Sequence, residues 1–184
     1  EAVRLVRKKA REWYIMEDAV VVQGSSAGGH LAACLGVFWK KDFLLERLAC
    51  GSEEIRPNRL ILSYPVISAG EYIHEGSFRN LLGEDWEQRK DFFSLEEQIS
   101  KDTPPSFLWH TASDASVPAE NSLLFLSGLR RYKIPVEFHL YEAGAHGMGT
   151  AGPLSMDAHG GGVQKECENW MELACNWLHR QWEF

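Results

Sequence analysis

Residues Gly24-Ser25-Ser26-Ala27-Gly28 form a Gly-x-Ser-x-Gly motif centred on Ser26, and what flanks it is the context such a motif needs. Val20-Val21-Val22, three consecutive β-branched residues, have the composition of a buried strand, while the run from Ala27 through Leu35 reads as a helix. A strand that turns at once into a helix leaves one serine at the tip in a strained conformation, the nucleophile elbow. Gly24 and Gly28, lacking Cβ, are expected to let strand and helix approach closely, and Ala27 leaves the flank of the serine open. No frame of this kind centres on Ser25.

A serine hydroxyl is a poor nucleophile at neutral pH and needs a base within hydrogen-bond reach, itself held by a carboxylate. Asp114 follows the apolar strand pattern of residues 106–111, and His146 lies in a turn with Gly144, Gly147 and Gly149 after the strand pattern of 136–141. The order Ser, Asp, His is the one expected of α/β-hydrolases. Ser26 would attack a carbonyl carbon, His146 would carry its proton to the leaving group, and Asp114 would stabilise the imidazolium. The Ala27 N–H at the start of the elbow helix would donate to the oxyanion. Asp114 also has a plainer reading as cap of the following helix, a job Ser113 or Ser116 would share. His30, His74, His110, His139, His159 and His179 follow no strand in a Gly-rich turn and are read as structural or exposed. Glu84, Asp85 and Glu87 read as a solvated acidic helix start. His159-Gly160-Gly161-Gly162 spells an oxyanion-loop motif, but that motif belongs before the serine, so here it is read as a connector.

The elements that must position these residues follow from periodicity. An amphipathic helix over 1–13, with Val3, Val6, Ala10 and Trp13 on one stripe and Arg7-Lys8-Lys9 on the wet face, leads to the elbow strand at 19–23 and a helix to about Trp39. A short helical piece at 43–49 precedes a second strand, 59–66. Residues 68–105 show no strand pattern, with short helices expected at 77–82 and 86–92, and form a lid-like insertion within a single domain spanning 1–184. Strands at 106–111 and 136–141 flank a helix at 121–132. A long closing helix over 163–182 carries Val163, Cys167, Trp170, Met171, Ala174, Leu178 and Trp182 on one stripe. Strands alternating with helices predict an α/β fold with a parallel sheet, whose ligands bind beyond the carboxyl ends of the strands.

The 184 residues, 45% of them hydrophobic, suffice for a packed core, and a net charge of -7 with no basic cluster beyond Arg7-Lys8-Lys9 argues against nucleic acid or an anionic membrane as partner. Four cysteines (Cys34, Cys50, Cys167, Cys175) without C-x-x-C spacing read as free thiols, which fits a reducing, cytoplasmic setting.

Gly24-Ser25-Ser26-Ala27-Gly28-Gly29-His30-Leu31-Ala32, Leu62-Ser63-Tyr64-Pro65-Val66, Thr103-Pro104-Pro105-Ser106-Phe107-Leu108-Trp109-His110-Thr111 and Val117-Pro118-Ala119-Glu120-Asn121-Ser122 resemble the bacterial esterase/lipase group of the α/β-hydrolase superfamily, related to acetyl xylan esterases and sometimes given a xylanase-like label. The resemblance implies carboxyl-ester hydrolysis of short acyl groups on carbohydrate, a small-molecule ester as partner, no cofactor or metal, and Ser26, Asp114 and His146 as the catalytic triad. Members of that group carry earlier strands and a Gly-rich oxyanion loop ahead of the helix that opens this chain. The chain is accordingly expected to be the C-terminal two-thirds of such a domain, apparently lacking the first strands and a second oxyanion donor. Its elbow strand would present an edge able to pair with another copy as a homodimer. A peptidase or amidase with the same triad, and a non-catalytic fragment that binds or pairs through that edge, are the alternatives.

Overall fold

The computed structural model describes residues 1–182. Four parallel strands, β1 (Val21–Ser25), β2 (Arg59–Ser63), β3 (Ser106–Thr111) and β4 (Val136–Tyr141), lie side by side in chain order. The register places Gly24 beside Leu62, Leu62 beside Leu108 and Leu108 beside Phe138. Each crossover carries helices: α2 (Ala27–Phe38), α3 (Asp42–Leu48) and α4 (Ser52–Ile55) between β1 and β2, α5 (Glu75–Leu82) and α6 (Trp86–Arg89) between β2 and β3, and α7 (Glu120–Arg131) between β3 and β4. Helices α1 (Ala2–Trp13) and α8 (Trp170–Gln181) precede and follow.

Side chains alternate across the two central strands, so one sheet generates two cores. Leu60, Leu62 and Leu108 pack with Ala33 and Val37 of α2 and Phe125 and Leu129 of α7. Ile61, Phe107 and Trp109 face the other way, against Trp170, Ala174 and Trp177 of α8. β3 is buried along its whole length, as a strand covered on both faces must be.

Four expectations need correction. The elbow strand lies two residues later than the expected 19–23, and Val21 and Val22 are only half-buried, because β1 pairs with β2 alone among the described residues. The closing helix begins at Trp170, after a 3-10 turn at Lys165–Cys167, so its buried stripe is Trp170, Ala174 and Trp177; Met171 and Val163 are exposed. On α1 the apolar stripe is thin, with Ala10 buried and Trp13 and Leu5 about half exposed. Arg7, assigned to the wet face, instead turns inward. Its guanidinium donates to the carbonyls of Glu53, Glu17 and Arg56 at 2.9, 2.9 and 2.6 Å and to Asn58 Oδ1 at 2.8 Å, which also accepts from Val20 N at 3.0 Å. A single arginine thus ties α1 to the segments that enter β1 and β2, and burial lowers its proton affinity.

Candidate active site

The elbow is built by steric necessity. A Cβ on Gly24 would stand 2.1 Å from the Gly28 carbonyl oxygen, and one on Gly29 would stand 2.7 Å from Pro65 Cβ, so these two glycines allow strand, helix and the following loop to meet. Gly28, expected to share that role, has open space around its Cβ position. Ser26 sits between strand and helix at φ 55° and ψ -124°, a conformation that costs an L-residue about 1–3 kcal/mol. The neighbourhood holds it there: Ser26 N donates to Ser63 O at 3.0 Å, while Ser26 O accepts from Val66 N at 3.1 Å and His30 N at 3.2 Å.

Three loops converge on that tip. Ser26 Oγ lies 2.7 Å from His146 Nε2, and His146 Nδ1 lies 2.7 Å from Asp114 Oδ2. An ionised carboxylate only accepts, so Nδ1 carries the proton and Nε2 is left to accept the Ser26 hydroxyl proton. The Asp114 side chain is almost entirely buried, whereas His146 is one-fifth exposed. Burial works against ionising Asp114, but contacts with His110 and His146 and the Val117 and Ser116 N–H groups outweigh it and hold the carboxyl well below the usual carboxylate range. The Ala27 N–H opens α2, where an α-helix leaves its N–H groups without intrahelical acceptors. The arrangement can deliver a deprotonated hydroxyl to an electrophilic carbon beside a hydrogen-bond donor.

The His146 loop is pinned at both ends. Thr111 Oγ1 donates to Gly144 O at 2.9 Å, and Ser113 Oγ accepts from Gly144 N at 2.9 Å. Beyond the histidine, Gly149 N donates to the Tyr64 hydroxyl at 3.0 Å and Gly149 O accepts from Trp170 Nε1 at 3.1 Å. The Tyr64 ring also meets the imidazole edge to face, with centroids 5.0 Å apart. Gly144 and Gly147 take φ of +152° and +79°, which a Cβ would strain. Tyr64 and Asn121 carry much of this positioning, and neither is a triad candidate in the sequence. Asn121, fully buried, accepts from Ile67 N and Ser68 N and donates to Tyr72 O and Pro118 O, so it joins the start of the 68–105 insertion to the start of α7, just past Asp114. The signal for both was their place immediately after a strand or at a helix start.

The remaining candidates are dispersed. Glu84, Asp85 and Glu87 are exposed. His159 N and Gly161 N both donate to Asp157 Oδ1, so that glycine run closes on its own aspartate. His74 caps α5 and His139 pairs with Glu137. His30 donates from Nδ1 to Val66 O at 3.1 Å, has no partner at Nε2 among the described residues, and burial lowers its proton affinity. A cavity of about 350 Å³ lies beside the elbow between α2 and α5, lined by Ala27, His30, Leu31, Val66, Phe78 and Leu81 among others. The larger cleft, about 860 Å³, is lined by charged residues of α1 and α4 and reaches none of the three converging side chains. Among the described residues no cluster of three or more potential metal ligands occurs, and no helix is long and apolar enough to cross a membrane.

The BD-FAE family model matches residues 1–129. The chain is 40% identical over 164 residues to endo-1,4-beta-xylanase B of Butyrivibrio fibrisolvens, covering 88% of this chain and 25% of that protein. It is 30% identical over 155 residues to the acetylxylan esterase of Xylanibacter ruminicola, covering 81% of this chain and 30% of that protein. The solved acetyl ester-xyloside bifunctional hydrolase of Caldicellulosiruptor lactoaceticus superposes with a TM-score of 0.81 at 36% identity, over 98% of this chain and 63% of that one. The chain therefore spans under a third of the length of these two sequence relatives and under two-thirds of that solved structure. The fold shared with the solved neighbours is the α/β-hydrolase fold.

Proposed function

From the premise that the chain belongs to the BD-FAE family, we propose that it is a serine carboxylic-ester hydrolase acting through an acyl-enzyme on short acyl, chiefly acetyl, esters of carbohydrate. The observation that carries this reading is the pair of 2.7 Å contacts running from Ser26 Oγ through His146 to Asp114. His146 Nε2 takes the Ser26 proton as Oγ adds to the ester carbonyl carbon. The oxyanion forms beside the Ala27 N–H, and His146 returns the proton to the departing alcohol as the C–O bond breaks. Water, deprotonated by the same imidazole, then adds to the acyl carbon, and His146 returns the proton to Ser26 Oγ as the acyl C–Oγ bond breaks, releasing the acid and free Ser26. Asp114, held ionised by its donors, stabilises the imidazolium in both halves without itself taking the proton.

Acetylated carbohydrate as substrate is supported by what the acetylxylan esterase and the acetyl ester-xyloside hydrolase are named for. The 68–105 insertion supplies α5, one wall of the cavity beside Ala27, and we assign it the role of substrate wall. A fluorophosphonate modifies only an activated serine. Labelling of the chain, followed by peptide mapping, is expected to place one adduct on Ser26, absent in His146→Ala. Hydrolysis of p-nitrophenyl acetate that survives Ser26→Ala, or an adduct on another serine, would overturn the assignment.

A further inference from the structure

His110 is the fifth residue of β3 and is fully buried, yet the proposed reaction uses none of its atoms. A titratable ring inside a strand covered on both faces needs partners for both nitrogens, and it has them. Nδ1 lies 2.8 Å from Ser122 Oγ on α7. Nε2 faces two acceptors, the Val117 carbonyl oxygen at 3.0 Å, which takes the hydrogen bond, and Asp114 Oδ2 at 3.3 Å, which lies close to the same N–H. Two acceptors in front of Nε2 require the proton there, so Nδ1 accepts and the Ser122 hydroxyl donates.

The same ring therefore reaches Asp114 by two routes. Val117, whose carbonyl it holds, turns its own N–H onto Asp114 Oδ1 at 2.9 Å, beside the Ser116 N–H at 2.9 Å. An ionised carboxylate offers about four acceptor positions. Here Ser116 and Val117 meet Oδ1, and His146 and His110 meet Oδ2. Asp114 is the charged group facing both imidazoles; Ser122 faces His110 from α7, and Ser26 and Tyr64 face His146 from the ends of β1 and β2.

We propose that His110 is a positioning residue for Asp114: its Nε2–H, confined to that nitrogen by Ser122, fixes the carboxylate rotamer that presents Oδ2 to His146 and draws off part of its negative charge. The inference rests on the esterase reading of Ser26, His146 and Asp114. Without the His110 donor, Oδ2 answers to His146 alone. The imidazolium is then favoured, so the acid limb of the rate profile moves to higher pH, and the carboxylate loses a restraint, so kcat falls while KM holds.

The wild-type chain, labelled with 15N-histidine, is expected to show the His110 imidazole with its proton on Nε2 and Nδ1 accepting; the Nδ1–H tautomer would overturn the proposal. Against p-nitrophenyl acetate, His110→Leu should lower kcat by about 10- to 100-fold, by analogy with the loss of hydrogen-bond partners that orient metal-ligating histidines. It should also raise the acid limb by about half a pH unit. His110→Gln, which keeps an amide N–H in the same region, should return the limb toward its wild-type position. A lowered Tm in both variants with the limb unmoved would make His110 merely structural and refute the inference. The low-field Nδ1–H proton of His146, read by NMR, should shift in His110→Leu whether or not the chain turns over ester, which separates failure of this inference from failure of the esterase reading. Ser122→Ala stands in where His110→Leu does not fold. Loss of the hydroxyl weakens the Nε2–H as a donor, so a smaller shift in the same direction is expected, and an unchanged signal refutes.

Discussion

Replacing Ser26 by glycine and by alanine separates what the side chain does from what the backbone suffers. Ser26 is held at φ 55° and ψ -124°, a conformation glycine adopts freely, and its Oγ makes one half-exposed hydrogen bond to His146. Both variants lose that bond, worth about 0.5–1.5 kcal/mol, and both lose the proposed nucleophile. Alanine keeps the backbone strain of about 1–3 kcal/mol. Glycine relieves it but restores about 0.4–1 kcal/mol of chain entropy to the unfolded state. The difference between the variants is therefore close to 1 kcal/mol in favour of glycine, or about 2–4 °C in Tm for a chain of this size. Thermal unfolding followed by circular dichroism at neutral pH, with urea titration as a second route, measures it. An alanine variant as stable as the glycine variant, or more so, would show that the elbow stores no strain at Ser26.

Other expectations follow from the same geometry. The Asp114 carboxyl, held below its ordinary value, contributes stability that is fully present above the unfolded carboxylate pKa near 4 and is lost as pH falls toward its folded value. The stability gap between wild type and Asp114→Asn, from urea titrations, should thus be widest above about pH 5 and narrow toward pH 2, and turnover by Asp114→Asn should fall about 10⁴-fold. In Gly24→Ala the new Cβ meets the Gly28 carbonyl at 2.1 Å, backbone that cannot step aside, so a loss of about 3 kcal/mol and of fluorophosphonate labelling is expected; normal labelling would refute the close approach. Arg7→Met leaves three carbonyls and the Asn58 side chain without their shared donor and should cost about 2 kcal/mol in chemical denaturation, with no change at all counting against the clamp.

Two strands were legible to the residue: the fully buried Ser106–Thr111 and the alternating, half-buried Val136–Tyr141 have the bounds their patterns predict, whereas β2 ends at Ser63, short of the 66 expected from its apolar run, because Tyr64 leaves the strand at a positive φ of 37°. β1 was displaced because its end is decided by pairing, not composition; Gly24 and Ser25 are poor strand formers that extend it by bonding along Leu62 and Ser63. The periodicity over 163–182 overstates the closing helix because a stripe at helical spacing does not reveal the 3-10 turn at Lys165–Cys167, and it leaves out Trp177, which is buried in the core. The inward turn of Arg7 has no local signal either, since its acceptors lie 10 to 51 positions away. The motif points to Gly28 for a close approach that Gly29 makes, because the partner there, Pro65, comes from a different strand connection.

The site divides along the same line. A residue that must stand at the tip of a turn imposes glycines on its own neighbours, which is why Ser26 and His146 announce themselves in the sequence, and Asp114 follows from the need of a carboxylate after the next strand. What aims those tips is non-local. Tyr64 braces a loop 85 positions away, and Asn121 joins α7 to backbone 53 and 54 positions back. His110 meets Asp114 only because a one-turn loop folds back over the end of β3. Such residues are polar or aromatic groups at strand and helix ends inside otherwise apolar runs, and in sequence they look like ordinary core histidines, tyrosines and asparagines. Their hydrogen bonds distinguish them: every polar atom of the Asn121 amide and both nitrogens of His110 are matched, an arrangement too costly to leave half-made in a buried site. On the proposed reaction, the aim of Ser26, His146 and Asp114 depends on this buried frame, so substitutions in the frame should reach kcat without touching substrate.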